Sequence, residues 1–514
     1  MLVRAVRFVA VLTLALSGGI LGWRALVGPF EWSSLRVISP LNAQCIFGLS
    51  ATVLLLLNNK SGDPFADRAT GRSVLWLLVI LLVTGGILWE AVRFPLVFDD
   101  YTLARYGQDL RPAMAKDYFM QPGGDGFFRP IGYLSFGLDA LWSARDPVRW
   151  HLTGLVLHLA NTVLAWLLAS RIFDDRATAS WTAALFALHG TVLLTPTYLA
   201  ARFDVLSAFF VLAGLVLFLR YLDAGSHFLF AASLVCLLMG LFTKEIAFCF
   251  PFLATLVAGK KARSHWRALT AIFVLAAIVF AYRYRLFGGI GGYRDRATGV
   301  PTILMTTPLA YLKGFALRIW SAFYFPINWS HEPEPWLVLL LLAYLGVLGW
   351  MTMRSYSRRS SLMFGLAFTG IALLPIAHML LVDASLLSAG RFYLALAGFA
   401  MFLGVAVRGT PKPIQALLGA VLLAFQMAAL LHNLTVWGET ATLADRTCAA
   451  AARLVGSGPD ELSVSGLPRE IDGVPFLANG FAACVAFHQS PGESPTAPHR
   501  ELQWDPVARE VVAR

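Results

Sequence analysis

Two adjacent carboxylates, Asp99 and Asp100, stand in the string Phe98 to Tyr101, a few residues beyond the end of a long apolar run. The chain around them is 58% hydrophobic and only 14% charged, so every charge has to sit where water or a partner satisfies it. Three other charged clusters interrupt apolar runs in the same way: Arg202 with Asp204, Lys244 beside Glu245, and Arg391 shortly before Tyr393. Arg129 and Asp139 lie in FRPIGYLSFGLDALW (128–142), in the segment that follows the acidic pair. A carboxylate near a hydroxyl can accept its proton, and converging cations can hold an anionic head group such as a phosphate. The competing use of the same residues is structural, as interfacial anchors and ion pairs that tie helices together.

The elements that must position these residues are membrane spans. A chain of 514 residues with a mean hydropathy of +0.66 carries too little polar surface for a soluble protein of this size. About thirteen apolar segments cross or nearly cross a bilayer core, from 5–26 and 44–58 through 73–93 to 413–433. One alternate set of connecting loops collects the cations, among them Lys60, Arg68, Arg171, Arg176, Lys260, Lys261, Arg358 and Arg408. The opposite short loops carry about one each: Arg36, Arg202, Lys244 and Arg391. Cytoplasmic loops accumulate Lys and Arg, so the N-terminus is expected in the cytoplasm and the C-terminus outside. The same bias accounts for the formal net charge of +11 with no nucleic-acid partner.

On this topology Asp99, Asp100, Arg129, Arg202, Lys244 and Arg391 share the outer side. Three longer segments fall there too: 94–150, 287–335 and the tail from 434. Apolar patches of the second, such as 311–325, are interrupted by Lys313 and Arg318 and are expected along the membrane surface. The tail has ten acidic and six basic residues, a formal charge of −4, and reads as a small separate domain. It opens with helical spacing over Trp437 to Leu454, with short strands expected near 462–464 and 474–476. Cys448 and Cys484 both lie in it and are a disulfide candidate in an oxidising compartment; Cys45, Cys236 and Cys249 sit in apolar stretches as small hydrophobes. Arg4 and Arg7 before apolar residues 8–17 read as an uncleaved first span. No dense His, Asp and Glu cluster argues for a tightly held metal.

Seven strings, in order and spacing, resemble a known family. They are FDDY (98–101), FRPIGYLSFGLD (128–139), HLTGLVLHLANTVLAWLL (151–168), ALFALHGTVLLTPTYLAARFDVLSAFF (184–210), LFTKEIAFCFPFL (241–253), GRFYLALAGFAMFL (390–403) and NLTVWGETATL (433–443). The resemblance is to the GT-C glycosyltransferases of the membrane, in particular the protein O-mannosyltransferase-like branch that includes the TMTC-type proteins, and runs over about 73–445. It implies an all-α polytopic membrane protein with a GT-C-like core of about eleven transmembrane helices over 73–433. An N-terminal transmembrane hairpin and cytoplasmic linker (1–72) would precede that core, and a small extracytoplasmic domain (434–514) would follow it. It further implies transfer of a sugar, mannose-like, from a polyprenyl-phosphate donor to an extracytoplasmic acceptor with inversion, in the inner (plasma) membrane.

The resemblance also assigns roles. Asp99 or Asp100 would be the base, with Asp100 slightly favoured because a residue closer to the loop has more room. Arg202, Lys244 and Arg391 would hold the carrier phosphate, with Arg129 a weaker candidate; Asp204 and Glu245 would orient these cations. His189, followed by Gly190 where relatives often have Pro, and Tyr393 are candidate substrate contacts. The partners would be membrane lipid, the polyprenyl-phosphate sugar and a protein, glycan or lipid acceptor. No cofactor is required, although an Asp pair beside a phosphate is a candidate to recruit a divalent cation. Gly390 stands where relatives commonly have Glu, and the tetratricopeptide repeats of many relatives are not in this sequence, which speaks against a protein acceptor. The rival readings are a transporter or lipid flippase, whose charges belong near the midplane of repeated halves, and a catalytically silent GT-C-like scaffold.

Overall fold

A computed structural model describes residues 70–110, 115–121, 126–143, 145–292, 335–376, 386–455, 463–489, 501–506 and 508–513. A few short stretches elsewhere are also described, including the antiparallel ribbon of β1 (Phe30–Trp32) and β2 (Leu35–Val37). The expected first two spans and the surface patch at 311–325 lie outside, or almost wholly outside, the described residues.

The helices, in chain order, are α1 (Thr70–Leu88), α2 (Asp100–Asp109), α3 (Ala115–Met120), α4 (Pro130–Ser143), α5 (Pro147–Phe173), α6 (Arg176–Ala187), α7 (Arg202–Ala224) and α8 (His227–Leu241). They continue with α9 (Phe250–Ala258), α10 (Trp266–Phe287), α11 (Pro335–Arg354), α12 (Arg359–Leu373), α13 (Tyr393–Arg408), α14 (Lys412–Leu454) and α15 (Phe481–His488). Among the described residues seven segments are long and apolar enough to cross a bilayer: 73–93, 147–173, 199–224, 266–287, 356–376, 389–408 and 412–454. The chain is an all-α integral membrane protein with a small mixed domain at its C-terminal end.

Helix α13 is the axis of the bundle: every residue from Tyr393 to Val407 is buried, and it packs against α6 and α12. Two glycines permit that approach. A Cβ on Gly398 would stand 2.6 Å from the Thr369 backbone nitrogen, and one on Gly404 would stand 2.7 Å from the Thr182 hydroxyl. In a lipid setting, where apolar burial does not by itself drive helices together, such close backbone contact is a main source of packing energy.

Two expected spans are broken, and the breaks face the candidate site. The apolar run at 180–197 is helical only to Ala187; it continues as 3₁₀ turns over Gly190–Leu194 and Leu199–Ala201. The run at 246–259 begins with the 3₁₀ turn Glu245–Cys249, and α9 that follows has nine residues. Irregular backbone at membrane depth survives only where protein satisfies its polar groups. Here Trp437 Nε1 donates to the Thr197 carbonyl, and Asn433 Nδ2 donates to the Gly190 and Pro326 carbonyls.

Ion pairs group the cation-rich loops with one another. Asp175 caps α6 through the Ala177 and Thr178 N–H groups and takes Arg358 at 3.2 Å and Arg408 at 3.1 Å on its other oxygen. Burial raises its carboxyl, but the two guanidiniums and the Thr178 donors outweigh that and hold it below the ordinary value. Asp223 receives both Arg171 and Lys261 in a more exposed cluster of small energetic weight.

Helix α14 has 43 residues, about 65 Å at 1.5 Å per residue, twice a hydrocarbon core. The domain boundary expected at 433/434 therefore falls inside a continuous helix, since Ala-rich sequence and no proline after Pro413 let it run on to Leu454. Beyond it, β3 (Ser463–Ser465) pairs in parallel with β6 (Glu501–Asp505), which pairs antiparallel with β7 (Glu510–Ala513). A hairpin of β4 (Glu470–Ile471) and β5 (Val474–Pro475) leads into α15. A Cys448–Cys484 disulfide staples α15 to α14. Closing 36 residues of chain removes unfolded-state entropy equivalent to about 4 kcal/mol in the chain-entropy account.

Asp100 ties the start of α2 to the irregular turn at 199. It is wholly buried, with Oδ1 accepting from the Leu199 N–H at 2.8 Å and Oδ2 accepting from the Val97 N–H at 3.3 Å. His151 Nε2 lies 3.9 Å from the same carboxylate. Asp100→Ala is expected to strand two buried N–H groups, at about 1–3 kcal/mol each. The detergent-solubilised protein should lose several degrees of thermal midpoint, measured by intrinsic fluorescence or light scattering, whereas an unchanged midpoint would remove the anchoring role.

Candidate active site

The acidic pair divides at the start of α2. Asp99 precedes the helix and Asp100 opens it, and their side chains diverge: Tyr198 donates to Asp99, whereas the Leu199 N–H donates to Asp100. Asp99 lines a cavity of about 370 Å³, where its carboxylate accepts from the Tyr198 hydroxyl at 3.0 Å and from Asn479 Nδ2 at 3.3 Å. Asp100 does not reach that cavity. Burial pushes its carboxyl above the ordinary value against the opposing pull of His151 and the two backbone N–H groups. The room is therefore on the Asp99 side, the reverse of the sequence-based preference for Asp100, because the chain turns back at Phe98 before α2 begins. Phe98 adopts φ +53°, a left-handed conformation rare for an aromatic residue.

Across the same cavity lie Arg129, Asp204, Lys244 and Arg391, with Gly390 beside them. A Cβ at Gly390 would stand 3.2 Å from Leu194 Cδ1, 3.7 Å from Ala201 Cβ and 3.8 Å from Asp204 Oδ2, so the backbone here packs closely against the acid and leaves little room for a side chain. The broken connection after α8 delivers Lys244, whose Nζ donates to Asp204 Oδ2 at 2.6 Å. Glu245, the next residue, bridges two arginines: Arg129 at 3.2 Å and Arg283 at 3.0 Å. Burial raises the Glu245 carboxyl, but Arg129 and Arg283 outweigh it and hold it down at about 2. Arg129 also lies over the Phe127 ring, 4.0 Å from its centroid.

Arg129 and Lys244 serve a second cavity as well. This one, about 470 Å³, is lined mainly by Phe127, Phe248, Phe252, Phe273 and Phe280, with Glu245 and Arg283 at the same polar end. Phe252, Phe273 and Phe280 are exposed on α9 and α10, so the cavity communicates with the apolar face of the bundle. The two cavities together carry four cations (Arg129, Lys244, Arg283, Arg391) and three carboxylates (Asp99, Asp204, Glu245), an excess of one positive charge. Such a junction can accept an apolar chain with an anionic head and present whatever the head carries to Asp99.

Three candidates are placed elsewhere. Arg202 is 2% exposed, paired at 2.5 Å with Asp139 and donating to the Trp150 carbonyl at 2.7 Å, which makes it a tie between α4, α5 and α7. His189 is buried against the Thr191 hydroxyl and the Phe323 carbonyl. Tyr393 bonds to His158 Nδ1 and Asn161 Nδ2 in the bundle interior. Arg283, Tyr198 and Asn479 escaped the sequence reading. Arg283 had a signal, as a cation near the end of an apolar run. Tyr198 lay within a motif read for its helix, and Asn479 in the polar tail had none. Among the described residues no group of three or more His, Cys, Asp or Glu is assembled in metal-binding fashion.

No protein-family model matches the chain. In sequence it is similar to "Protein O-mannosyl-transferase TMTC3" of Mus musculus, 29% identical over 153 residues, which is 28% of this chain and 16% of that protein. It is also similar to TMTC1 of Mus musculus, 29% identical over 168 residues (30% and 18% of the two chains), and to Tmtc1 of Drosophila melanogaster, 28% identical over 173 residues (33% and 19%). The chain thus spans less than a fifth of the length of the curated relatives it matches. The crystal structure of ArnT from Cupriavidus metallidurans bound to undecaprenyl phosphate aligns over 83% of this chain and 90% of its own, at 16% identity and a TM-score of 0.45. The apo form of the same protein aligns over 81% of this chain and 88% of its own, at 15% identity and a TM-score of 0.36. The sequence likenesses agree with what the motifs indicate: this chain is similar to the TMTC-type protein O-mannosyl-transferases of the GT-C membrane glycosyltransferases.

Proposed function

We propose that the chain is a membrane glycosyltransferase that moves a hexose, mannose-like by resemblance, from a polyprenyl phosphate to an acceptor hydroxyl, with inversion at the anomeric carbon. The observation that carries this reading is the junction of an aromatic-lined cavity and an Asp99-lined cavity at Arg129 and Lys244. Sequence relatives named protein O-mannosyl-transferases support the sugar-transfer chemistry and the mannose type. Among the described residues, no feature of the two cavities favours a transport path or a silent scaffold.

The polyprenyl chain lies against Phe252, Phe273 and Phe280, and its phosphate sits at the end formed by Arg129, Lys244 and Arg283. The sugar then projects into the smaller cavity. Asp99 takes the proton of the acceptor hydroxyl as that oxygen bonds to the anomeric carbon. The bond from that carbon to the phosphate oxygen breaks, and its electron pair leaves on the phosphate. The cations hold the developing charge on phosphate, a preorganised arrangement of the kind that lowers such barriers most. Base and leaving group occupy opposite sides of the sugar, which is what back-side attack and inversion require. Arg391 faces the same space and is available to the sugar or to the acceptor. Only Asp99 of the acidic pair reaches the cavity, so a divalent cation shared by both carboxylates does not fit this site.

The acceptor is a hydroxyl of a protein, glycan or lipid. The inner (plasma) membrane is the proposed location, with the site and C-terminal domain on the extracytoplasmic side and the N-terminus in the cytoplasm. The cation-rich loops joined through Asp175 and Asp223, and a disulfide at the other end of the chain, support that orientation.

Asp99→Asn should lower kcat for transfer from undecaprenyl-phosphate mannose by about 10³-fold with little change in donor KM, as loss of a general base does. Asp100→Asn, nearly isosteric in its buried niche, should retain at least tenfold more activity than Asp99→Asn; the opposite ranking in the same membrane assay would reverse the assignment. Phe273→Gln with Phe280→Gln should raise KM about tenfold for the long-chain donor and leave kcat nearly unchanged, since burial of a Phe side chain contributes about 1.5–3 kcal/mol. A donor of two isoprene units should be insensitive to that double substitution, and equal sensitivity of short and long donors would place the lipid elsewhere.

A further inference from the structure

The C-terminal domain touches both walls of the Asp99 cavity. Asn479, between β5 and α15, lines the cavity and donates to Asp99 Oδ1 at 3.3 Å. The next residue, Gly480, adopts φ +79°, and its backbone lies so close to the catalytic turn that a Cβ there would meet the Phe98 carbonyl oxygen at 2.5 Å. Phe98 is itself held in the left-handed region at φ +53°, a strained conformation that persists only when its surroundings enforce it. About two turns along α15, Phe487 packs edge-on to Tyr101, 5.5 Å between ring centroids. On the other wall, the Leu386 N–H donates to the Gly473 carbonyl, which joins the β4–β5 hairpin to the Leu386–Phe392 turn that carries Arg391.

We propose that the C-terminal domain is a working part of the active site, with Asn479 as the positioning residue of Asp99 and the Cys448–Cys484 disulfide as the staple that keeps it in place. Asn479 donates to one carboxylate oxygen while Tyr198 donates to the other, so that the plane of the carboxylate is fixed with respect to the cavity and the acceptor hydroxyl. A neutral amide does this without competing for the proton. The staple acts at Cys484, four residues beyond Gly480 on α15, and ties it to the end of α14. This inference rests on the assignment of Asp99 as base, and the experiment separates the two.

Three variants of the full-length protein are assayed in membranes for release of undecaprenyl phosphate from undecaprenyl-phosphate mannose across a pH series: Asn479→Ala, Asn479→Asp and Asp99→Asn. Asn479→Ala should lower kcat about fivefold, leave donor KM within about twofold, and move the acid limb of the pH–kcat profile upward by about half a pH unit, because the carboxylate loses a donor. Asn479→Asp should move that limb further in the same direction, because it sets a second carboxylate against the first. The other ionisable groups facing the cavity are Arg129, Asp204, Lys244, Arg391 and the tyrosines 106, 133 and 198, and none is altered by these substitutions. Wild-type kcat and pH limbs in both Asn479 variants, with activity lost in Asp99→Asn, would overturn the inference and leave the base assignment standing. Retained activity in Asp99→Asn would overturn both. As a second measurement, the Cys448→Ser/Cys484→Ser protein should show faster amide hydrogen exchange in the peptide covering 96–104 and a kcat reduced like that of Asn479→Ala. Unchanged exchange and kcat would remove the staple from the account.

Discussion

The site depends on one carboxylate placed between two guanidiniums. Glu245 holds Arg129, from the turn before α4, and Arg283, from the end of α10, and it follows directly on Lys244, which Asp204 of α7 holds in turn. In an apolar bundle none of these charges is tolerable alone, since removing one partner of a buried pair typically costs about 3–5 kcal/mol. Paired, they fix four segments of chain around one point. The cations are thereby presented to two cavities at once, and the slight positive excess there is available to an anionic ligand. Evenly matched charges would leave a cross-link with no ligand preference.

The second organising feature is the division of labour within the acidic pair. Asp100 spends its hydrogen-bonding capacity on the Leu199 and Val97 N–H groups and on proximity to His151, which closes the irregular turn at 199 against the start of α2. That closure brings Tyr198 to Asp99 and sets the second carboxylate facing open space. A buried anchor and an accessible acid therefore sit side by side in the chain. Their neighbourhood is completed from far away in sequence by Asn479, which explains why a domain that looks appended is packed against the turn at Phe98.

Much of the bundle was legible in the sequence because its signal is large: runs of apolar residues, and Lys and Arg sorted into alternate loops. The identity of Lys244, Glu245, Arg129 and Asp99 as a group was also legible, since charges stand out against such a background. What could not be read was direction. Whether Arg202 faces a cavity or a neighbouring acid is decided by the distance to Asp139, sixty-odd positions earlier, and pairing of that kind leaves no periodic trace. The broken helices at 190–201 and 245–249 read as continuous spans because hydropathy does not distinguish a helix from a buried 3₁₀ turn whose polar groups are met by Trp437 and Asn433. Helix α14 was read as two helical pieces, an apolar span to 433 and the helical opening of the tail over Trp437 to Leu454, because the apolar signal stops near 433 while strong helix formers carry the same helix on.

The central claim is that the lipid-linked phosphate sits where the two cavities meet. A cryo-electron-microscopy structure of the protein in nanodiscs with undecaprenyl phosphate tests it directly. The account predicts phosphate density within hydrogen-bonding distance of the Arg129 guanidinium and the Lys244 ammonium, with the isoprenoid chain running past Phe252, Phe273 and Phe280 toward lipid. Phosphate density at another place on the bundle, with the junction occupied only by water, would contradict it.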